Sequence, residues 1–311
     1  MKAVLLVSLA ASLWGTVGVA NRLMTGTPPL DPTLAGLSRT GLGALCLLAL
    51  ASILVTVRPA WRSLPVGRLL AFGLAGAVFQ VCLFAAFDVV GVTITVAVTV
   101  AGPAALVSIG DAAWNRRLPA PAATIAVAVA TAGLLVALTD RPDGGQVAIG
   151  WRGIALLLLA TSAFAIVAGF ARSLGAILHP LHAAGLGLLF TTGTLAVLAV
   201  AAGVDPGHLA ALGARDVGIL AYTGVAATGG AYLAFVTGMS LSRSPTTGIA
   251  ATLIEPGIAA LLAAVVLDER LTPQQANGCA LMLGSIVLLA AAEGRAARGG
   301  RPDRDEGNVA P

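Results

Sequence analysis

One acid, Glu255, stands near the centre of residues 244–267, a stretch with no other charge. An acid at the middle of a membrane helix costs about 2.5–3.5 kcal/mol on insertion scales. Its carboxyl therefore belongs on a cavity or against a partner helix rather than among acyl chains. Two readings of it stand side by side: a site for substrate or a proton, or a buried acid that fixes packing by hydrogen bonds. Thr252 lies three residues earlier on the same helical face, and Pro256 removes a helix hydrogen bond and frees a carbonyl beside the acid. Elsewhere Thr95 and Thr99 are one turn apart, with Gly102 and Pro103 continuing their face. Such hydroxyls commonly bond to their own backbone. Gln80 and Tyr232 are polar residues in the middle of apolar runs; Gln80 belongs in the interior, where bonding to another helix is the plainer role. Trp14 either lines a cavity or serves as bulk, and Arg39 either snorkels to the interface or neutralises an anion. The candidate substrate-binding set is thus Trp14, Arg39, Gln80, Thr95, Thr99, Tyr232, Thr252 and Glu255, with an acid on one wall and hydroxyls on the other.

Catalytic and metal chemistry find less support. His179 and His182 flank Pro180 without a Cys, Asp or Glu near them in sequence, so they read as interfacial residues at a helix start rather than metal ligands. Cys46, Cys82 and Cys279 sit singly inside apolar runs and read as packing thiols, with neither a disulfide framework nor a CxxC pair. GxxxxGK[ST] is absent, which argues against ATP as the driving force. No cofactor, metal or nucleic-acid partner is expected, and no enzymatic activity: three histidines and one acid at mid-membrane, spread along the chain, do not make an intramembrane protease or transferase.

The elements that position these residues follow from composition. Of 311 residues 58% are hydrophobic and 10% charged, and the mean hydropathy is +0.94. A soluble chain carries about 25% charged residues, so this one is built for lipid. Its apolar runs are residues 3–21, 40–57, 69–87, 89–110, 118–139, 153–171, 173–204, 217–242, 244–267 and 271–292. Each approaches the roughly 20 residues a helix needs to cross the hydrocarbon. Strand alternation is lacking, so the expected fold is an all-α polytopic membrane protein of ten transmembrane helices. The run after Lys2 passes beyond signal-peptide length, so a retained first helix is expected. Residues 293–311, rich in Gly, Arg and Asp, are expected to be a disordered cytoplasmic tail.

Basic residues orient the chain. With a cytoplasmic N-terminus, twelve Lys and Arg fall inside, among them Lys2, Arg58, Arg62, Arg68, Arg116, Arg117, Arg172 and Arg243. Five fall outside (Arg22, Arg141, Arg152, Arg215, Arg270), and Arg39 is unassigned. Both termini are therefore expected to be cytoplasmic. Arg outnumbers Lys 17 to 1, which fits a GC-rich bacterial genome.

The chain also repeats itself. An offset of 153 places Pro103 over Pro256, Thr99 over Thr252, Thr93 over Thr246, Arg117 over Arg270, Gly76 over Gly229 and Phe79 over Tyr232. Near the start an offset of 150 pairs Trp14 with Phe164 and Arg22 with Arg172. Five spans twice over, an odd number each, require the second repeat to enter from the opposite side, the inverted-repeat plan of many carriers. The repeats are expected at 3–139 and 151–292.

Several of these segments resemble a known family. Residues 11–16, Ala-Ser-Leu-Trp-Gly-Thr, leading to Asn21-Arg22, look like the opening "WG" helix of EamA-domain transporters of the drug/metabolite transporter superfamily. Arg39 after Pro32 is similar to that family's second helix. Glu255-Pro256, followed by Asp268-Glu269-Arg270-Leu271, resembles its "EP" helix and "GERL" turn, with Gly278 and Gly284 fitting its last helix. The chain departs from the pattern at Asn115-Arg116-Arg117-Leu118, where the family often has an acid. The resemblance implies a plasma-membrane secondary carrier, an exporter of small metabolites such as amino acids or drugs, working by alternating access. Proton exchange through Glu255 and facilitated diffusion are both compatible with it. The partners expected are a small-molecule substrate, the lipid bilayer and, if coupled, protons; a homodimer is left open. The alternatives are a non-transporting scaffold or sensor, which would have a dry midplane, and a nucleotide-sugar carrier of the same superfamily, which would need a more basic lining.

Overall fold

The computed structural model describes residues 2–24, 31–56, 59, 63–90, 92–116, 121–138, 150–242, 245–266 and 272–299. Every regular element among them is helical: α1 Lys2–Arg22, α2 Pro32–Leu54, α3 Val66–Val90, α4 Val92–Asn115, α5 Pro121–Leu138, α6 Trp151–Ile177, α7 Pro180–Ala201, the single turn α8 Gly207–Ala210, α9 Ala214–Gly224, α10 Ala231–Leu241, α11 Pro245–Ala250, α12 Glu255–Val266 and α13 Pro273–Gly299.

Seven stretches of the described residues are long and apolar enough to cross a membrane: Lys2–Arg22, Pro32–Leu54, Val66–Ala86, Trp151–Ile177, Pro180–Ala201, Ala214–Leu241 and Thr247–Val266. The chain is a multi-pass membrane protein. Helices α4, α5 and α13 fall where the sequence predicts three further spans; the apolar stretches described in α4 and α5 are the shorter Val98–Val107 and Thr124–Gly133. Large apolar side chains such as Ile53, Val200, Val265 and Val287 point outward, at 68–82% exposure, the inverse of a water-facing surface. Helix α13 runs to Gly299, seven residues into the segment expected to be disordered. The remainder of that tail, Arg58, Arg62, Arg117, Arg141, Arg243, Asp268, Arg270 and the side chains of Asp111 and Cys279 lie outside the described residues.

Local sequence explains several ends and breaks. Helices α2 and α7 open alike, with proline in the first turn and a preceding side chain as cap. Asp31 Oδ1 accepts from the amides of Thr33 (2.8 Å) and Leu34 (3.4 Å), and His179 Nδ1 accepts from the amide of Leu181 (3.3 Å). That cap is the structural role of His179. Helices α9 and α10 are joined by a π-helical turn, Val225–Gly230, and α11 and α12 by a 3-10 turn, Ala251–Ile254. The second break has a covalent cause. Pro256 has no N–H to give the carbonyl of Thr252, which accepts the Glu255 amide instead.

Packing rests on small residues, as expected where lipid offers helices no hydrophobic incentive to meet. The extensive contacts are α5 with α13, α3 with α6, α2 with α7, α1 with α10, α3 with α7, α1 with α12, α6 with α10, α4 with α6, and α2 with the π turn. Several are made at glycines with no room for a methyl group. A Cβ on Gly43 in α2 would stand 3.0 Å from both the Gly224 carbonyl oxygen and the Gly229 nitrogen. A Cβ on Gly76 in α3 would stand 2.7 Å from Thr191 Oγ1 in α7. Gly73 and Gly224 make contacts of the same kind.

Candidate functional site

A cavity of about 270 Å³ opens between α1, α2, α3, α4, α6, the π turn with α10, and α12 with the turn before it. Of the eight residues singled out by sequence, seven line it: Trp14, Arg39, Gln80, Thr99, Tyr232, Thr252 and Glu255. Thr95 is fully buried one turn along α4, and its carbonyl accepts the Thr99 hydroxyl at 2.7 Å. The Thr252 hydroxyl likewise donates to its own helix, at the Ile249 carbonyl (2.8 Å). Thr99 and Thr252 thus turn their protons to their own helices and offer the cavity oxygen lone pairs.

Charge enters from two sides. Arg39 comes from the first half of α2, and its Nε donates to Thr228 Oγ1 at 3.3 Å. Thr228 is held in turn by donating to the Thr223 carbonyl five residues back, at 2.7 Å, within the π turn. Glu255 comes from the first turn of α12. Helix α1 is able to approach it because Gly15 has no side chain: a Cβ there would meet the Glu255 carbonyl oxygen at 3.0 Å and the Ala259 nitrogen at 3.2 Å. Arg39, Tyr232 and Glu255 act on one another electrostatically across the cavity. A low-dielectric surrounding strengthens each such interaction relative to water.

The rest of the wall is aromatic. Trp14 meets Tyr232 with ring centroids 5.4 Å apart and Phe164 at 5.8 Å, both edge-on. Phe79 meets Phe164 at 4.9 Å. Trp14 also packs on Phe235 at 5.2 Å, which is wholly buried, so Trp14 is both cavity wall and bulk. Sequence reasoning left Phe79, Phe84, Phe164, Asn21 and Thr228 out of the candidate set although all line the cavity. For two of them the signal was present in the duplication: Trp14 aligns with Phe164 and Phe79 with Tyr232, and all four meet at one place. A second hollow, beside His179 and His182, lies where the end of α2 meets the end of α6. No cluster of three metal-ligating side chains occurs among the described residues.

A carboxylate, a guanidinium, the hydroxyls of Thr99, Thr228, Thr252 and Tyr232, and the amides of Asn21 and Gln80 line a small chamber walled by rings, which suits recognition of a small polar molecule with an apolar part.

Comparison with known proteins agrees with this architecture. A solved crystal structure superposes on the chain with a TM-score of 0.73 at 22% identity, covering 94% of this chain and 98% of that one; at that identity the likeness is one of fold. No curated protein matches the sequence. The model of the EamA-like transporter family matches residues 151–291, the whole second half from α6 into α13. The second half of the chain, residues 151–291, accordingly carries an EamA-like domain, and the chain as a whole is a multi-pass membrane protein.

Proposed function

We propose that the chain is a secondary transporter, an exporter of small metabolites, which alternates access between two inverted five-helix repeats around the cavity at Glu255. The observation that carries this reading is the cavity itself, where the acid in mid-helix, a basic residue and an aromatic wall converge from both halves of the chain. A scaffold or sensor would have a dry, closed midplane. A nucleotide-sugar carrier would need several cations for a diphosphate, whereas Arg39 is the one basic residue of the lining among the described residues. The volume lies below the roughly 300–1,000 Å³ of pockets for drug-sized ligands, which favours a compact metabolite over a drug.

Most of the extensive helix contacts support the inverted repeat, that of α6 with α10 being unmatched. Counting α9 with α10 and α11 with α12 as single rods gives five rods in each half. Exchanging each rod for its counterpart turns the contact of α1 with α10 into that of α6 with α3, and the contact of α4 with α6 into that of α12 with α1. The contacts of α2 with α7 and of α5 with α13 map onto themselves. The ring pairs obey the same exchange, since Trp14 on Tyr232 becomes Phe164 on Phe79. Two halves related in this way can swap conformations, which turns an outward cavity inward. With both termini in the cytoplasm of a bacterial cell, the lining residues of α1, α2, α3 and α4 fall in the outer half of the membrane, so this is the outward-facing state.

Flux across proteoliposomes tests the proposal. Wild type is expected to move members of a radiolabelled metabolite pool, with a rate that responds to an imposed pH gradient and is lost in Glu255→Gln while the protein stays folded. Gradient-independent flux that survives Glu255→Gln refutes proton exchange through Glu255 and leaves a facilitator. Absence of flux for every member of the pool refutes the transporter reading for small metabolites and favours the scaffold.

A further inference from the structure

Positions paired by the duplication differ in burial in one consistent way. With the offset of 150, Gly18 and Asn21 in α1 correspond to Ala168 and Ala171 in α6. Both alanines are wholly buried, whereas Gly18 and Asn21 are exposed and line the cavity. A Cβ on Gly18 would meet nothing within 4 Å. With the offset of 153, Leu83 in α3, which lines the cavity, corresponds to Val236 in α10, which is wholly buried. The contact of α6 with α10 thus forms a closed floor to the cavity. The corresponding pair, α1 and α3, has no extensive contact among the described residues and forms its open mouth.

Two kinds of contact hold the floor. One is close packing: a Cβ on Gly175 in α6 would stand 2.9 Å from Ser240 Cβ and 3.0 Å from the Val236 carbonyl oxygen, and the rings of Phe164 and Phe235 stack at 5.8 Å. The other is polar. Arg172 Nη2, from near the end of α6, donates to the Ser242 carbonyl at 3.4 Å. Ser242 is the residue that caps the end of α10, where carbonyls lack partners within the helix and the helix dipole favours a cation. Parting α6 from α10 breaks this contact, so it favours the state in which the floor is shut. The exchange that carries α6 onto α1 and α10 onto α3 carries Arg172 to Arg22 and Ser242 to Val89, which lies in the last turn of α3.

We propose that Arg172 and Arg22 are a pair of alternating latches. Arg172 holds the floor shut on the end of α10 in the state of this structure. Arg22 holds the mouth shut on the end of α3 in the opposite state, with Gly18 then against Leu83, and with Ala168 and Ala171 open to the cytoplasm. This rests on the alternating-access reading above and deepens it, by naming the groups that set the balance between the two states. A contact made in one state alone shifts that balance by its own free energy, whereas a contact made in both shifts nothing.

The test is labelling of single cysteines in the full chain by a membrane-impermeant maleimide, with Cys46, Cys82 and Cys279 replaced by alanine. Gly18→Cys reports the mouth in right-side-out vesicles and Ala168→Cys the floor in inside-out vesicles. Asn21→Cys and Ala171→Cys are a second pair, used if a thiol at Ala168 prevents folding. Arg172→Ala is expected to raise labelling at the floor by about two- to fivefold without raising it at the mouth, and Arg172→Lys to restore the original rate. Arg22→Ala is expected to lower the floor rate by about two- to fivefold. An equal rise at both positions in Arg172→Ala marks a merely structural role and overturns the proposal. An unchanged floor rate in Arg172→Ala overturns it too, as does a floor rate that Arg22→Ala raises or leaves unchanged. Labelling needs no substrate, so the two readings fail separately. Metabolite flux that persists while Arg172→Ala leaves the floor rate unchanged overturns the latches and leaves the transporter reading standing. No floor labelling in any variant, together with no flux, overturns both.

Discussion

Replacing Gly43 by alanine adds one methyl group at the point where α2 crosses the π turn. That methyl would stand 3.0 Å from the Gly224 carbonyl oxygen, 3.0 Å from the Gly229 nitrogen and 3.2 Å from the Gly229 Cα. All three neighbours are backbone, so no side-chain rotation relieves the contact and a helix has to retreat. Overpacking of this kind costs about 1–3 kcal/mol. Gly169, on α6, is the control, because a Cβ there meets nothing within 4 Å. There the exchange is expected to stabilise, alanine being favoured over glycine in a helix by up to about 1 kcal/mol. The two variants should therefore differ by about 1–4 kcal/mol in unfolding by SDS titration in mixed micelles, read by circular dichroism. Gly43→Ala should also weaken ligand binding, since Gly229 adjoins Thr228 and so the anchor of Arg39. Equal stability of Gly43→Ala and Gly169→Ala would refute the claim that this crossing is closed by the absence of a side chain.

Other outcomes follow from individual contacts. Thr161 in α6 buries a hydroxyl with no hydrogen-bond partner among the described residues, so Thr161→Val is expected to raise the unfolding free energy by about 1 kcal/mol or more; a loss of stability in the same micelle titration would contradict this. Trp14→Ala removes three ring contacts and is expected to cost about 3–5 kcal/mol, while Trp14→Phe should keep most of that, as thermal unfolding in detergent would report.

Much of the site is legible in the sequence because lipid makes polar residues conspicuous. Glu255 and Arg39 stand out in apolar runs for an energetic reason, and both line the cavity. The duplication points to Trp14, Phe164, Phe79 and Tyr232 as related positions without saying that they meet, since an alignment of repeats carries no distance. Thr228 is hidden for a different reason. Its role depends on a π turn, and helical periodicity assigns residues to faces on the assumption of 3.6 residues per turn. One irregular turn rotates everything after it. Thr95 illustrates the converse: it shares a face with Thr99, yet a turn further along α4 the cavity has ended. Helix α13 outruns the composition signal, because a polar, Arg-rich segment reads as disordered when judged alone, whereas its first residues extend a helix already nucleated by the apolar run ahead of them.

The central claim is that one cavity is reached from each side of the membrane in turn, and accessibility of a single cysteine measures that most directly. Val17 lines the cavity from α1 and is half-buried; Val17→Cys in a background with Cys46, Cys82 and Cys279 replaced by alanine supplies the probe. A membrane-impermeant thiol reagent is predicted to label it in right-side-out and in inside-out vesicles alike, at rates that a bound substrate shifts in opposite directions. Labelling from one side only, with or without substrate, would contradict alternating access and leave a static pocket.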